Sequence, residues 1–135
     1  MPRLVIAARS LLVPYLVVLA LVVFLPARQA GQVTGIVGWA ADQLALLGVP
    51  REPTAVVLEF LANIVLFVPF GGLVALAFPG TRWVTVLLVG CLASTGIELV
   101  QLAIPSRVAT VSDVIANTAG TGVGLLLARV RRTPG

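Results

Sequence analysis

Histidine and lysine are absent from this chain of 135 residues, and cysteine occurs once, as Cys91. With no histidine and one thiol, the chain lacks the ligands of a histidine–cysteine zinc site. A single cysteine cannot form an internal disulfide, and within an apolar run we expect it to pack as a small side chain. These absences, together with the lack of a Gly-x-Ser-x-Gly motif, argue against most hydrolytic chemistries. We expect no catalytic residue, no metal and no cofactor.

Charged residues are also scarce, at 10% of the chain, whereas 59% is hydrophobic. Soluble domains are usually about a quarter charged, so this chain is expected to use lipid as its solvent. The net charge of +4 comes from nine arginines, most of which flank apolar runs. Arginines in such positions orient helices or contact anionic head groups. We therefore expect membrane lipids as partners and no nucleic acid, and the oligomeric state stays open.

Four apolar runs, at residues 10–27, 54–78, 83–104 and 111–130, predict four membrane helices. Each is close to the roughly 20 residues that span a bilayer. The first run follows two arginines, as in a cleaved signal peptide. A cut after Ala27 or Ala30 would place bulky Leu25 or charged Arg28 at the small-residue position of the cleavage motif, which disfavours cleavage. The predicted fold class is all-α, an integral membrane four-helix bundle. We expect one domain over residues 1–135, with a motif-bearing core at about 54–130.

The segment between the first and second runs, residues 28–54, has fewer apolar residues than the runs and contains several glycines. A set of residues recurs at helical spacing, which favours an amphipathic helix lying in the membrane interface with Trp39 at head-group level. The set is Ile36, Trp39, Ala40, Gln43, Leu44 and Leu47. A loop packed over the bundle is the alternative, and the sequence leaves both open.

The later runs carry polar groups that are costly inside a membrane and therefore usually face partners or water. The candidate ligand-binding residues are Asn63, Glu98, Gln101, Arg107, Asp113 and Asn117. Glu98 with Arg107 could hold an ammonium, amide or phosphate head group, or could form an ion pair that closes a loop. Thr110 and Asp113 have the spacing of a helix capping box.

The remaining polar candidates also have structural interpretations. Asn63, Gln101 and Asn117 suit hydrogen bonds between helices, and Glu59 lies close enough to the interface to reach water. Gly120 and Gly124 form a Gly-x-x-x-Gly pair that favours close helix packing.

Arginine asymmetry predicts the orientation. The two termini and the turn at residues 79–82 hold six arginines, and the connections on the other side hold three. The positive-inside rule then places both termini in the cytoplasm and the polar groups of the second, third and fourth runs near the outer leaflet.

Three motifs in order resemble the VanZ-like family of small bacterial membrane proteins. They are the run Asn63-Ile-Val-Leu-Phe-Val-Pro-Phe-Gly71, the run Glu98-Leu-Val-Gln101, and Arg107 followed by Asp113, Asn117, Gly120 and Gly124. The resemblance covers about residues 60–128. It implies a multi-pass protein of the bacterial cytoplasmic membrane. It also links the chain to resistance to the glycopeptide teicoplanin, the phenotype of the family's namesake.

Three classes of function fit these features. The first is binding of a lipid or lipid-linked envelope precursor through its head group, at the outward-facing polar site. The second is a membrane enzyme acting on a lipid, with carboxylates as acid and base. The third is a structural or transport subunit whose polar face binds a partner.

Overall fold

The computed structural model describes residues 2–24, 35–104 and 110–131. These residues form five helices and no strand: α1 (Pro2–Phe24), α2 (Gly35–Leu46), α3 (Arg51–Ala77), α4 (Trp83–Gln101) and α5 (Val111–Val130). By length and composition, all but α2 could cross a membrane. The predicted all-α fold with four spanning helices is therefore confirmed.

Helix α1 begins at Pro2, about two turns before the apolar run in which the first span was predicted. Within the added turns, the side chain of Arg9 has partners at the end of α3. Its Nε donates to the carbonyl of Ala77 at 3.0 Å, and its guanidinium lies 5.6 Å from the centre of the Phe78 ring. The last residues of the predicted first span, 25–27, lie outside the described residues.

The direction of each helix follows from its long-range hydrogen bonds. Arg9 reaches Ala77, and the Tyr15 hydroxyl donates to the Leu66 carbonyl at 2.7 Å, so α1 and α3 are antiparallel. The bonds of α4 to α5, described below, show that these two are antiparallel as well. We call the level where α3 and α5 begin and α4 ends the polar end, and the opposite level the arginine end.

Helix α3 is the centre of the bundle, because it contacts each of the other four described helices. Its most extensive contact is with α5, where glycines allow the two backbones to touch. A side chain at Gly120 would overlap the carbonyl of Ile64, and one at Gly124 would overlap that of Val68 and approach the backbone nitrogen of Gly72 to 2.6 Å. The Gly-x-x-x-Gly pair therefore packs as the sequence predicts.

Large apolar side chains point outward from all four long helices. Val17 on α1, Val65 on α3, Leu92 on α4 and Leu126 on α5 are each more than half exposed. Such extensive apolar surface is unusual for a soluble monomer and suits a lipid environment.

The segment between α1 and α3 contains a helix rather than only a loop. Ala41 of α2 is fully buried, whereas Ile36, Trp39 and Leu47 are 73%, 63% and 79% exposed. Of the apolar residues that suggested an amphipathic helix, these three are exposed, as an interfacial helix requires, whereas Ala40 and Leu44 are half-buried. Arg51 at the start of α3 forms an ion pair with Asp42 of α2. Residues 28–34 lie outside the described residues.

The glycine contact yields a matched pair of substitutions on α5. We expect Gly124→Ala to destabilise the protein by about 1–3 kcal/mol, the usual cost of overpacking. Gly122→Ala should be neutral or slightly stabilising, because its new methyl group would meet only Leu87 Cδ2, at 3.5 Å. Thermal unfolding in a fixed detergent measures both. Equal melting temperatures for the two variants would contradict the packing described here.

Candidate functional site

The N-terminus of α5 is capped by its own N-cap residue and by a carboxylate from α4. Thr110 is the N-cap residue, and its Oγ1 accepts the backbone N–H of Asp113 at 3.2 Å. In a complete capping box the side chain of Asp113 would accept the N–H of Thr110 in return. Instead, Oε2 of Glu98 on α4 accepts that N–H at 2.8 Å. The predicted capping spacing is present, but a carboxylate from the neighbouring helix takes the reciprocal bond.

Asp113 uses its carboxylate to contact α3. Asn63 Nδ2 donates to Asp113 Oδ1 at 2.8 Å. A glutamate at this position could reach back to the cap, whereas the shorter aspartate side chain lies beside α3. The bond therefore joins α3 to α5 at the polar end, and Asp113 stays half-buried.

A second polar contact lies about one turn deeper, between α4 and α5. Asn117 Nδ2 donates to Ser94 Oγ at 2.8 Å, and both residues are buried. The other amide atom, Asn117 Oδ1, is buried and has no hydrogen-bond partner among the described residues. Together with the Glu98–Thr110 bond, this contact fixes the register of the antiparallel pair. The small-residue stripe on the third run predicted the contacting face of α4, although not the partner of Ser94.

Gln101 faces a different helix from its neighbour Glu98. Its Nε2 donates to the carbonyl of Val23 at 2.8 Å, which joins the end of α4 to the end of α1. The sequence placed Glu98 and Gln101 in one polar cluster because they are three residues apart on the same helix. The structure divides them between α5 and α1. Gln101 is buried in this helix-joining contact.

Arg107, the remaining predicted site residue, lies outside the described residues. The structure accordingly describes five of the six candidates. Asn63, Glu98, Asp113 and Asn117 form contacts along the N-terminal turns of α5, and Gln101 lies on the far side of α4.

A cleft of about 490 Å³ opens between the first half of α3 and the start of α5. We call it the polar cleft. Its polar lining comes from Glu59 on α3 and from Thr110, Ser112 and Asp113 on α5, and its apolar lining from Val56, Val57, Phe60 and Leu61. Ser112 was not among the predicted site residues. Its position between Thr110 and Asp113 in the capping sequence could have indicated that it lies at the site. Thr110 Oγ1 and Ser112 Oγ are hydrogen-bonded at 3.0 Å.

This lining suits polar organic groups better than a metal ion. Among the described residues, no three acidic or thiol side chains are grouped closely enough to hold a metal. Instead, the α5 wall of the cleft combines the carboxylate of Asp113 with two hydroxyls, and the α3 wall is hydrocarbon apart from Glu59. Such a surface matches a molecule with a polar head and an apolar body.

These features define a class: a small multi-pass helical membrane protein whose polar residues gather at one end of a glycine-packed bundle. The VanZ/LLP1 family model matches residues 12–132. The chain therefore belongs to the VanZ/LLP1 family, as a VanZ-like protein of the cell envelope. No curated protein and no solved structure matches it significantly.

Removal of the Glu98 carboxylate tests the shared cap. We expect Glu98→Ala to destabilise the protein by about 1–3 kcal/mol, because the Thr110 N–H loses a charged acceptor. Hydrogen exchange in the peptide containing Thr110 should also become faster. Glu59→Ala is the control, since Glu59 is exposed on the same cleft. Unchanged exchange and melting in Glu98→Ala would show that the α4 carboxylate does not support the start of α5.

Proposed function

We propose that the polar cleft binds the head group of a lipid or lipid-linked envelope precursor. The observation that carries the proposal is the position of the Asp113 carboxylate, which lies on the cleft wall, held by Asn63. Because Glu98 completes the cap of α5, Asp113 does not serve that purpose. An ionised carboxylate accepts strong hydrogen bonds from ammonium, amide or hydroxyl groups.

The other residues of the cleft suit the two parts of such a molecule. The hydroxyls of Thr110 and Ser112 can exchange hydrogen bonds with a sugar, peptide or amine head group. Val56, Val57 and Phe60 offer hydrocarbon to the first part of an acyl or prenyl chain. The volume of about 490 Å³ is within the usual range of small-molecule sites.

The six candidate residues have different roles in this proposal. Asp113 contacts the head group. Asn63 on α3 holds the Asp113 side chain, and Glu98 fixes the start of α5 that carries Asp113. Asn117 and Gln101 hold α4 against its neighbours. Arg107 precedes the cap by three residues in the sequence, and a guanidinium there would suit a phosphate on the same molecule.

The distribution of charge supports an outer-leaflet position for the cleft in a bacterial cytoplasmic membrane. Among the described arginines, five lie toward the arginine end: Arg3, Arg9, Arg82, Arg129 and Arg131. Arg51, at the polar end, is paired with Asp42. By the positive-inside rule the arginine end, with both termini, is cytoplasmic.

Reporter fusions test this orientation. We expect a fusion after Gly135 to be active only with a cytoplasmic reporter, and a fusion within residues 28–52 only with an extracytoplasmic one. The reverse pattern would place the cleft at the inner leaflet and contradict the proposed outer-leaflet ligand.

The chain has one other aspartate, which provides a matched control for binding. Asp113→Asn keeps the size of the side chain and an acceptor for Asn63 but removes the charge. It should lower retention of the bound lipid about tenfold, the scale expected for losing a hydrogen bond to a charged group. Asp42→Asn removes the same charge from an exposed ion pair and should retain wild-type binding. Native mass spectrometry of the gently extracted proteins measures the retained lipid.

Cells expressing the variants test the link to glycopeptide sensitivity that the family resemblance suggests. Asp113→Asn at wild-type abundance should alter teicoplanin sensitivity, and Asp42→Asn should not.

In the lipid measurement, equal retention by both variants would refute the binding proposal. Copurification of a fixed protein partner in place of lipid would favour a structural subunit, and turnover of the retained lipid would indicate an enzyme.

A further inference from the structure

A second cavity, of about 620 Å³, lies between α1, α3 and α5 toward the arginine end. We call it the apolar groove. The floor of the groove lies where Gly72 and Gly124 bring the backbones of α3 and α5 together. Because these two residues are glycines, they contribute no side chain that would fill the groove. On α5 its lining extends from Gly124 to Arg131, a distance of about 10 Å along the helix axis.

The lining of the apolar groove is hydrocarbon over most of its length. Leu11 and Val18 of α1, and Leu73 and Leu76 of α3, form much of the walls. The hydroxyl of Tyr15, which also lines the groove, is already bonded to the carbonyl of Leu66. The body of the groove therefore suits a hydrocarbon chain and offers little to a polar ligand.

Among the described residues that line the groove, Arg131 is the one with a charge, and it lies where α5 ends. It forms no ion pair within the described part of the chain. All five acidic residues of the protein, Asp42, Glu52, Glu59, Glu98 and Asp113, belong to α2 or to the polar-end halves of the other helices. The mouth of the groove is therefore positively charged, with no acidic side chain nearby to neutralise Arg131.

We propose that the apolar groove binds one anionic phospholipid, with an acyl chain between α1, α3 and α5 and its phosphate on the Arg131 guanidinium. Charge complementarity selects this occupant. A guanidinium donates paired hydrogen bonds to phosphate oxygens, and its hydrocarbon stem can lie along the acyl chain. The apolar helix of a protein partner would leave Arg131 without an anion.

This site is separate from the polar cleft in position and in chemistry. The polar cleft has the Asp113 carboxylate at the start of α5, and the apolar groove has Arg131 at the end of α5. Either site can be removed without changing residues of the other, so failure of one proposal leaves the other standing.

The experiment uses the full chain reconstituted in vesicles of equal parts phosphatidylglycerol and phosphatidylcholine, followed by extraction and native mass spectrometry. The wild-type protein should retain one phosphatidylglycerol in preference to phosphatidylcholine. Arg131→Gln should reduce that retention about fivefold, the effect of one basic residue near an anionic lipid surface. Arg129→Gln, at the same end but outside the groove, should leave retention unchanged.

A second pair of variants blocks the groove without changing charge. Val18 lines the groove and is 55% exposed, whereas its neighbour Val17 is 56% exposed and lies outside the lining. Val18→Trp should reduce retention of phosphatidylglycerol, and Val17→Trp should not. Thermal unfolding of each variant separates loss of binding from loss of fold. If Val18→Trp lowers the melting temperature, the retention measured for Arg131→Gln tests the proposal.

Several outcomes would overturn the proposal. Equal retention of the two lipids by the wild-type protein would mean that the groove does not recognise an anion. An equal loss in Arg129→Gln would indicate general attraction to the positive end. A second copy of the chain, seen as a dimer in place of bound lipid, would identify a protein contact instead.

Discussion

The close contact of α3 with α5 is the constraint on which the rest of the bundle depends. Lipid is as apolar as the helix surfaces, so membrane helices associate through tight packing and polar contacts rather than through the hydrophobic effect. Here Gly120 and Gly124 let α5 rest on the backbone of α3. The polar cleft and the apolar groove are both walled by these two helices, one toward each end of their contact. A change in the glycine contact would therefore alter both.

Polar hydrogen bonds then fix how the other helices sit on this pair. Glu98 and Ser94 join α4 to α5, Gln101 joins α4 to α1, and Tyr15 joins α1 to α3. Buried polar groups in a membrane are costly unless they are paired, so these contacts specify one arrangement of otherwise similar apolar helices. The five acidic residues lie toward the polar end, whereas five of the six described arginines lie toward the arginine end, and the two ends therefore have different chemistry.

The spans, the glycine contact and the level of the polar residues could be predicted from the sequence, because they follow from hydropathy and from spacing along single helices. The helix that Gln101 contacts could not be predicted. Glu98 and Gln101 are three residues apart on α4, yet Glu98 contacts α5 and Gln101 contacts α1. Because the end of α4 lies between these two helices, polar residues on both of its sides have protein partners. The cap of Thr110 likewise needed a carboxylate from another helix. The family resemblance named the residues of the site but not these pairings.

The Asn63–Asp113 contact is the central element of the proposed site, and solid-state NMR in lipid bilayers tests it most directly. The chain has two aspartates and two asparagines, so labelling the aspartate carboxyl carbon and the asparagine amide nitrogen gives few possible pairs. The hydrogen bond of 2.8 Å predicts a carbon–nitrogen distance below about 4.5 Å, a signal that Asn63→Gln should abolish. A shortest distance beyond about 6 Å, too long for a direct hydrogen bond, would contradict the account.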